Sequence, residues 1–503
     1  MIPVPGFEGR RIAVFGLGRS GLTAARALKA GGALPVLWDD SVSSRMQAEA
    51  EGFAVEDLTR ADWSGFAALV LSPGAPLTHP KPHWTVGKAK AADVEVIGDI
   101  ELFARAIAAL PEGERPKVVA ITGTNGKSTT TALIGWVLKQ AGMTVHVGGN
   151  IGIGVLALPA PTPGAVYVIE VSSYQLDLTT AFAPDVAILT NISPDHLERH
   201  GGMEGYVAAK ERIFQAQAAD AVALVGVDDG WGRSMAEALG ERAQQITTRP
   251  SPLEGEGGRR SRSDEGAVSS VRLSDDERIA GSPLIRPSGA PSPSRGEGVR
   301  AEGRLLFIGN DPVADLTSAR SLPGRHNAQN AAFGYAAARA VGVSHDAAVE
   351  GLLTFPGLAH RMETVGTLGR VRFINDSKAT NADVARQALS SYERSFWIAG
   401  GRAKAGGIDD LEDLFPRVVE AFLIGEAAGP FAARLGDTPH RVSGDMASAV
   451  KAAAEAAAAT GREEVVLLSP AAASFDQYPD FEARGEAFRA AVLNLGATPS
   501  GHG

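Results

Sequence analysis

Residues 118–131 constrain the fold of this chain more than any other stretch. Residues 118–121 are apolar and mostly β-branched, which predicts a short strand buried in a parallel sheet. A glycine-rich turn at 123–126 interrupts this strand, and apolar residues return at helical spacing over 132–141, after Lys127 and Ser128. This order is typical of a phosphate-binding loop, because the loop N–H groups and the helix N-terminus face one anion.

The loop is shorter between its glycines than the G-x-x-x-x-G-K-[ST] pattern. The alternative interpretation is a glycine-rich turn followed by a surface lysine. The flanking strand and helix favour the phosphate loop. In such a loop, Lys127 is expected to reach the outer phosphates of a nucleotide, and the Ser128 hydroxyl is expected to bind Mg²⁺.

Size and composition exclude several classes of protein. A chain of 503 residues has room for about three domains. Its net charge of −10 and isoelectric point of about 5.6 exclude nucleic acid or an anionic membrane as the main partner. The absence of cysteine excludes disulfides, thiolate metal sites and a cysteine nucleophile. With no run of about 18 apolar residues and no signal-peptide pattern, a cytoplasmic location is expected.

The first α/β pattern spans residues 11–38. A strand leads into G-x-G-x-x-G at 16–21 and a helix, and a second strand ends at Asp39 and Asp40. This arrangement is typical of a dinucleotide fold, although a tight turn without a ligand fits it too. No hydride-transfer residues follow, which argues against NAD. The strand at 67–71 ends in a rigid loop that contains Gly74, at the same predicted sheet edge.

Polar residues follow three buried strands of the central pattern. Ser128, Glu170 and His196 are all predicted at the carboxyl ends of strands in one sheet. A lone carboxylate there could instead begin a helix, and a lone histidine is more often structural. Their shared edge favours a metal site beside the phosphate loop. Lys210 lies on a predicted helix over 206–214 and would ordinarily be a solvated lysine.

Residues 249–303 differ in composition from the rest of the chain. They are rich in Arg, Ser, Gly, Pro and Glu, and no aromatic residue occurs between Trp231 and Phe307. Such a segment buries too little apolar surface to order itself. It is predicted to be a disordered surface insertion, with a regulatory or partner-binding role as the alternative.

A third α/β pattern follows residue 358. Four of its predicted strands end in small or polar residues, at 375–381, 400–404, 425–426 and 469–478. Ligand sites in open α/β sheets lie at such carboxyl ends. The pattern therefore predicts a second substrate site in this part of the chain.

Several segments resemble the Mur ligases, the ATP-dependent amide ligases of peptidoglycan precursor synthesis. They are T-G-T-N-G-K-S-T at 122–129, E-V-S-S-Y-Q at 170–175, N-I-S-P-D-H at 191–196, the helix at 206–214, and N-D-S-K-A-T-N at 375–381. The resemblance covers nearly the whole chain except 249–303. The ending at 468–478, with F-E-A-R-G at 481–485, resembles the members that add D-glutamate.

The resemblance implies an α/β fold of three domains. These are a Rossmann-like UDP-binding domain at 1–105, a central P-loop domain with a parallel sheet at 106–357, and a Rossmann-like amino-acid-binding domain at 358–503. It also implies ligation through an acyl phosphate, with small-molecule substrates, no nucleic-acid or membrane partner, and a monomeric chain. The implied cofactors are ATP, two Mg²⁺ ions and a CO₂-derived carbamate on Lys210.

The resemblance assigns a role to each matching residue. The catalytic residues would be Lys127, His196 and Lys210. The metal ligands would be Ser128, Glu170, His196 and Lys210. The ATP site would comprise Gly123, Thr124, Asn125, Gly126, Lys127, Ser128, Thr129, Asn330, Arg361 and Asp376. The UDP-substrate site would comprise Gly18, Ser20, Gly21, Leu22, Thr23, Asp39, Asp40, Gly74 and Asn150. The D-glutamate site would comprise Lys378, Thr380, Lys404, Ser474, Phe475 and Phe481. Where the family has a UDP-contacting arginine this chain has Ser41, and Arg45 is its expected substitute.

Two other functions fit parts of the sequence. One is a different amide ligase of the superfamily, such as a folylpolyglutamate synthase or another Mur ligase, although 16–21 and 474–478 favour D-glutamate addition. The other is a nonenzymatic nucleotide sensor that switches partners. The lysines of the third domain, with Glu170 and His196, favour an enzyme.

Overall fold

Three β-sheets follow one another along the chain, in a computed structural model that describes residues 1–249, 298–319, 321–322, 324–404 and 406–500. Each sheet is built mainly from parallel strands with helices between them, so the predicted α/β fold class is confirmed. Polar groups that end neighbouring parallel strands are thereby brought together at one edge of each sheet.

The first sheet has five parallel strands in the order β3-β2-β1-β4-β5. The order reverses between β1 and β4, which opens a crevice at their carboxyl ends. Its elements are β1 (Arg11–Phe15), α1 (Arg19–Ala30), β2 (Leu34–Trp38), α2 (Val42–Ala50), β3 (Ala54–Val55), β4 (Phe66–Leu71), α3 (Trp84–Ala91), β5 (Glu95–Ile97) and α4 (Asp99–Ala108).

The second sheet has nine strands in the order β14-β13-β12-β11-β10-β9-β6-β8-β7. The strands from β7 to β12 in this order are parallel, and β13 and β14 are antiparallel at one edge. Its elements are β6 (Lys117–Thr122), α5 (Lys127–Gln140), β7 (Val145–Gly149), β8 (Val166–Glu170), α6 (Ser173–Leu176), β9 (Val186–Leu189), α7 (Leu197–His200), α8 (Met203–Gln215), β10 (Val222–Gly226), α9 (Gly230–Leu239), β11 (Ala243–Arg249), β12 (Val299–Glu302), β13 (Leu305–Ile308), β14 (Asp311–Asp315), α10 (Arg325–Ala340) and α11 (His345–Leu353).

The third sheet has seven strands in the order β19-β18-β17-β20-β16-β15-β21. The strands from β19 to β16 in this order are parallel, and β15 and β21 are antiparallel. Its elements are β15 (Glu363–Leu368), β16 (Val371–Asn375), α12 (Ala382–Ser390), β17 (Ser395–Gly400), β18 (Val418–Ile424), α13 (Ala428–Leu435), β19 (His440–Gly444), α14 (Met446–Ala459), β20 (Glu464–Leu468), α15 (Phe481–Asn494) and β21 (Thr498–Pro499).

Residues 118–121 of β6 are apolar because both faces of this strand are buried. Successive side chains of a strand point to opposite faces of the sheet. Val119 and Ile121 pack against α5 and α10 on one face. Val118 and Ala120 belong to the apolar cluster on the other face, which continues through α4 into the first domain. Both faces are buried, and β6 therefore holds the loop that follows it on a rigid base.

The predicted insertion at 249–303 was wrong at its C-terminal boundary. Residues 299–302 form β12, which pairs in parallel with β11 and in antiparallel with β13. Val299 and Ala301 are buried, and they alternate with two partly exposed residues. This short alternation was hidden by the polar composition that precedes it. Residues 250–297 lie outside the described residues.

The predicted boundary at residue 105 falls inside α4. This helix packs on both neighbours. Phe103 lies 5.5 Å from the ring of Tyr167, and Glu101 accepts hydrogen bonds from the backbone N–H groups of Thr180 and Ala181 at 2.8 and 2.9 Å. The first two sheets are therefore joined through a shared helix, and the three domain ranges stay predictions.

Candidate active site

The phosphate loop leaves β6 after Thr122 and enters α5 at Lys127. Gly123 has φ +142°, and a Cβ atom there would lie 1.9 Å from the Thr190 hydroxyl oxygen. Gly126, at φ +84°, caps α5. Only glycine fits both positions without strain. Lys127 Nζ donates to the carbonyl oxygens of Gly123 and Thr124 at 2.9 and 2.8 Å, so the lysine lies across the loop.

The segment after β9 holds this loop in shape. Asn191 receives two hydrogen bonds, from Thr124 N to its carbonyl oxygen and from Asn125 N to its Oδ1, both at 2.9 Å. Thr190 Oγ1 donates to the carbonyl oxygen of Asn125 at 2.7 Å. These hydrogen bonds hold the loop in one shape, and a pre-formed loop lowers the entropic cost of binding an anion. Sequence reasoning missed Thr190 and Asn191 as supports, because some 65 residues separate them from the loop.

A cavity lies between the phosphate loop, α10 and the third domain, and it brings together predicted ATP-site residues from distant parts of the chain. Its lining includes Asn125, Gly126, Thr129, Asn330, Arg361 and Asp376. Asn330 Oδ1 accepts a hydrogen bond from Thr130 Oγ1 at 3.1 Å, which ties α10 to α5.

Two groups in this cavity, buried Asp376 and partly buried His326, have strongly shifted pKa values. Burial raises the pKa of Asp376 to about 7, although Arg361 opposes the shift. Burial, with Arg361 acting in the same direction, lowers the pKa of His326 to about 4. His326 is therefore neutral at pH 7, whereas Arg361 contributes a cation to the lining of the cavity. His326 is a lining residue that the sequence did not single out.

A second cavity lies on the other side of the phosphate loop. Its lining includes Lys127, Asn150, Ser173, His196 and Lys210. Glu170 ends β8 at this edge of the sheet. Its Oε1 accepts a hydrogen bond from Asn150 Nδ2 at 2.9 Å, whereas its buried Oε2 has no hydrogen-bond partner among the described residues. An orphaned buried carboxylate oxygen is costly unless a cation or a donor completes it.

Lys210 projects from α8 and is almost fully buried. Its Nζ donates to the carbonyl oxygen of Gly123 at 2.7 Å and lies 4.6 Å from the centre of the Tyr206 ring. Burial lowers its pKa well below the ordinary value, and Lys127 adds to the shift. A buried lysine of this kind is enriched in the neutral amine, which is the nucleophilic form.

His196 lies between β9 and α7 with φ +54°. Its Nε2 is 3.4 Å from a carboxylate oxygen of Asp195, and its ring is 5.0 Å from that of Tyr174. Burial lowers its pKa, against the opposing effect of Asp195. A neutral imidazole can serve as a metal ligand.

The four predicted metal ligands are not a cluster of acidic and imidazole side chains. Within the described parts of the chain, no group of three or more His, Cys, Asp or Glu side chains could hold a metal ion. Glu170 and His196 supply two such groups. Ser128 would add a hydroxyl oxygen to these two groups, whereas the ammonium form of Lys210 would repel a cation.

The third domain reaches the phosphate loop through Lys378. Its Nζ donates to Ser128 Oγ at 2.9 Å and lies 5.2 Å from the centre of the Phe481 ring. Burial, with Arg361 next in effect, lowers its pKa to about 8. The structure therefore brings the N-D-S-K-A-T-N motif against the α5 N-terminus, across the interface between the second and third sheets.

The other predicted residues of the amino-acid site range from buried to exposed. Thr380 N donates to the carbonyl oxygen of Lys378 at 2.9 Å. Ser474 is buried, whereas Lys404 is exposed and the Phe475 residue is 65% exposed. Arg484, which is fully buried, donates to the backbone carbonyls of Ser377 and Ala472 at 2.7 and 2.9 Å and fixes two of these strand-end loops.

Comparison with known proteins identifies the family. A model of the Mur ligase middle domain matches residues 121–257. Among curated proteins, the UDP-N-acetylmuramoylalanine--D-glutamate ligase of Caulobacter sp. (strain K31) is 59% identical, over 99% of this chain and 98% of that protein. The protein of the same name from Phenylobacterium zucineum (strain HLK1) is 56% identical, over 98% of each. The chain belongs to the Mur ligase family.

Solved structures agree on the fold. A UDP-N-acetylmuramate-alanine ligase from Thermotoga maritima matches with a TM-score of 0.54 at 16% identity, covering 97% of this chain and 99% of that one. A pseudomurein peptide ligase type C from Methanothermus fervidus matches with a TM-score of 0.52 at 19% identity, covering 97% and 100%. In the described parts of this Mur ligase, no helix is both long and apolar enough to cross a membrane.

In this Mur ligase, most of the predicted UDP-site residues lie at or beyond the carboxyl ends of β1, β2 and β4 in the first sheet, whereas Asn150 follows β7 of the second sheet. Gly18 caps α1, and a Cβ atom at Gly21 would lie 1.9 Å from the carbonyl oxygen of Gly16. Leu22 and Thr23 are buried within α1. Gly74 lies in the loop after β4 and lines the second cavity, and its carbonyl oxygen accepts a hydrogen bond from Arg199 at 3.1 Å.

Asp39 and Asp40, which follow β2, make different contacts. Asp39 accepts hydrogen bonds from the backbone N–H groups of Leu17 and Ser41 at 2.6 and 2.7 Å, so it shapes the turn. Asp40 is exposed, with one carboxylate oxygen 3.9 Å from His83 Nε2. Arg45 lies over the Trp38 ring at 4.4 Å and donates to the carbonyl oxygen of Asp39 at 2.5 Å. Arg45 thus lies beside this crevice.

One link between the crevice and the central cavity was missed. Asp99, which is buried, accepts hydrogen bonds from Ser20 and from Gln175 Nε2, the latter at 3.1 and 3.2 Å. Gln175 also accepts a hydrogen bond from Ser172 N and closes the capping box that begins α6. Neither the spacing nor the composition of the sequence shows that these residues meet.

Proposed function

We propose that this enzyme joins D-glutamate to UDP-N-acetylmuramoyl-L-alanine at the expense of ATP, in cytoplasmic peptidoglycan precursor synthesis. The observation that carries the proposal is the meeting of three groups at one sheet edge. These are the phosphate loop, the orphaned Glu170 oxygen beside it, and Lys378 from the third domain. The curated relatives at 59% and 56% identity carry the name of this activity.

The chemistry begins with activation of a carboxylate. The alanine carboxylate of the UDP-linked substrate attacks the γ-phosphate of ATP, so that an O–P bond forms and the bond to ADP breaks. The amine of D-glutamate then attacks the acyl phosphate, the C–N bond forms, and inorganic phosphate leaves. Both steps bring anions together, so the protein's main tasks are positioning and charge neutralisation.

The residues around the two cavities divide these tasks. Lys127 and the loop residues Gly123, Thr124, Asn125, Gly126, Ser128 and Thr129 would hold the ATP phosphates. Asn330, Arg361 and Asp376 would contact the rest of the nucleotide, because they line the adjoining cavity. A neutral His326 in the same cavity adds a flat, uncharged surface.

Mg²⁺ is proposed at the sheet edge between the phosphate loop and the second cavity. Glu170 Oε2 has no hydrogen-bond donor among the described residues, and Ser128 and His196 would supply an oxygen and a neutral nitrogen. Two ions are proposed. Ser128 and Glu170 would hold the first ion, and Glu170, His196 and Lys210 would hold the second. When bound, the ions neutralise the charge shared by the phosphate and the carboxylate.

Lys210 is proposed to carry a carbamate. Its lowered pKa favours the neutral amine, which adds to the carbon of CO₂ with loss of one proton. The product is an anionic oxygen ligand in place of a cation. This change removes the repulsion that an ammonium at this buried position would exert on Mg²⁺.

We assign the two remaining substrates to the first and third sheets. The uridine diphosphate would occupy the first-sheet crevice, at Gly18, Ser20, Gly21, Leu22, Thr23, Asp39, Asp40 and Gly74, with Asn150 at its inner end. D-Glutamate would contact Lys378, Thr380, Lys404, Ser474, Phe475 and Phe481, whose two lysines match its two carboxylates. The domain ranges 1–105, 106–357 and 358–503 and a monomeric state belong to the same proposal.

Release of phosphate tests this function. The purified full chain receives ATP, Mg²⁺ and UDP-N-acetylmuramoyl-L-alanine with D-glutamate, L-glutamate, L-lysine or diaminopimelate. Release with D-glutamate alone is expected. Release with another amino acid would mean a different Mur ligase, and release with none would favour a nucleotide sensor.

A further inference from the structure

Beside the phosphate loop lie three side chains that none of the roles above uses, namely buried Ser173 and His200 and partly exposed Asp177. His200, at the end of α7, is 3.0 Å through Nε2 from Ser173 Oγ and 3.0 Å through Nδ1 from a carboxylate oxygen of Asp177. Its side chain is 2% exposed. Ser173 is the first residue of α6 and lines the same cavity as Lys127 and Lys210.

The order of these groups fixes the direction of each hydrogen bond. A carboxylate only accepts, so Nδ1 of a neutral His200 carries the proton and donates to Asp177. Nε2 is then a lone pair, and the Ser173 hydroxyl donates to it. The lone pairs of Ser173 Oγ are left for a donor in the cavity, and the same chain of bonds is able to accept a proton.

The surroundings of His200 keep it in this orientation. Tyr174 stacks on the imidazole at 5.4 Å with an interplanar angle of 20°, and Tyr206 packs at 5.4 Å from another side. The charged groups nearby are Asp177 itself, Arg212 at 4.0 Å from Asp177, and Arg199, whose guanidinium lies over the Tyr174 ring. Asp177 is therefore the anion in direct contact with the imidazole.

We propose that Ser173, His200 and Asp177 form a relay that takes the proton lost by the amine of the second substrate as the amide bond forms. This inference rests on the proposed ligase function. The amine nitrogen bonds to the acyl carbon, and the C–O bond to phosphate breaks with its electron pair. The nitrogen proton passes to Ser173 Oγ while the hydroxyl proton passes to His200 Nε2. Asp177 stabilises the imidazolium until it loses the proton to water.

The relay fills a chemical gap in the cavity. The amide nitrogen must lose a proton, and Lys127 and Lys210 are assigned to phosphate and to the carbamate. His196 is assigned to a metal, and Asp195 pairs with it. In the relay, Ser173 is the group that touches the amine, whereas His200 and Asp177 are positioning residues that act through it.

The test compares two nucleophiles in S173A and H200Q. D-Glutamate loses its nitrogen proton to the relay, whereas hydroxylamine supplied in excess traps the acyl phosphate as a hydroxamate at pH 7 without it, because a second hydroxylamine molecule takes up the proton that the nitrogen loses. With D-glutamate, kcat is expected to fall about 10²-fold in both variants and to recover partly as the pH rises. Hydroxamate formation is expected to stay within about twofold of the wild-type rate, because activation of the carboxylate does not use the relay.

The matched control is S395A, which removes a buried serine hydroxyl at the start of β17 that has no hydrogen-bond partner among the described residues. It should leave both rates unchanged. Equal losses with both nucleophiles, or no loss with D-glutamate, would overturn the relay while leaving the ligase function in place. Absence of phosphate release by the wild-type enzyme would instead refute the ligase function, and the relay with it.

Discussion

The raised pKa of Asp376 predicts a pH dependence of the free energy of unfolding, and one substitution should remove it. The carboxyl group is 2% exposed, and burial raises its pKa to about 7 from about 3.9 in an unfolded chain. The folded protein therefore binds more protons at this residue than the unfolded chain does between these two pKa values. The free energy of unfolding must fall as the pH rises through that window, and the fall ends above about pH 7.

The size of the effect follows from the shift. One pKa unit corresponds to about 1.4 kcal/mol, so a shift of about three units costs about 4 kcal/mol once the group is ionised. At about pH 5.5 roughly half of this cost is already present, because the unfolded carboxyl has ionised. Asp376→Asn should therefore cancel a loss of about 2 kcal/mol that the wild-type protein shows between about pH 5.5 and about pH 8.5.

The asparagine fits the same site. Its Oδ1 can accept the hydrogen bond that Met362 N donates at 3.2 Å, and the Ser469 hydroxyl, now 3.0 Å from the carboxylate, can rotate to accept from Nδ2. Asp445→Asn is the matched control, because Asp445 is exposed and its hydrogen bond from Ser448 N lowers its pKa, which places its titration below the window.

The assay is urea unfolding of the full chain with pulsed hydrogen–deuterium exchange, read on peptides from β16 and β20 so that the third domain is followed separately. The stability of Asp376→Asn should change less with pH than that of the wild type, whereas Asp445→Asn should follow the wild type. Parallel pH dependences in the wild type and Asp376→Asn would refute the reasoning.

Three further substitutions or deletions test other parts of the structure. Lys210→Ala should reduce kcat about 10³-fold, with partial rescue by acetate or another short carboxylate, whereas exposed Lys139→Ala should not; full activity in the first variant would exclude the carbamate. Glu101→Ala should lower the free energy of unfolding by about 2 kcal/mol in urea titration, because the buried carboxylate of Glu101 accepts hydrogen bonds from the partly buried backbone N–H groups of Thr180 and Ala181, and an unchanged midpoint would contradict this. Deleting residues 262–285 should leave the steady-state kinetics unchanged, whereas deleting 250–302 should destabilise the protein, because it removes β12, which pairs with both β11 and β13 and buries Val299 and Ala301. Equal stability of the two deletion variants would refute this role of β12 in the second sheet.

The elements that the sequence predicted well are those whose signal is local. The strand β6 and the phosphate loop followed from a β-branched run and two glycines that the backbone geometry requires. The burial of Lys210 was not visible in the same way. Its helix pattern was typical of a solvated lysine, and only the resemblance to the Mur ligases singled it out.

The relationships that the sequence did not predict connect residues far apart in the chain. Lys378 reaches Ser128 across 250 positions, and Asp99 meets Gln175 across 76. Such contacts depend on how the three sheets pack, which periodicity and composition do not encode. The Ser173–His200 hydrogen bond shows the same limit over 27 positions, because it joins two four-residue helices of the loops beside the sheet.

The most direct test of the central claim follows one oxygen atom. UDP-N-acetylmuramoyl-L-alanine labelled with ¹⁸O in its alanine carboxylate is incubated with the enzyme, ATP, Mg²⁺ and D-glutamate, and the released phosphate is analysed by mass spectrometry. Ligation through an acyl phosphate predicts one ¹⁸O atom in each phosphate released, because the carboxylate oxygen that attacks ATP leaves with phosphorus. Unlabelled phosphate would show that water attacks ATP, and it would contradict the account.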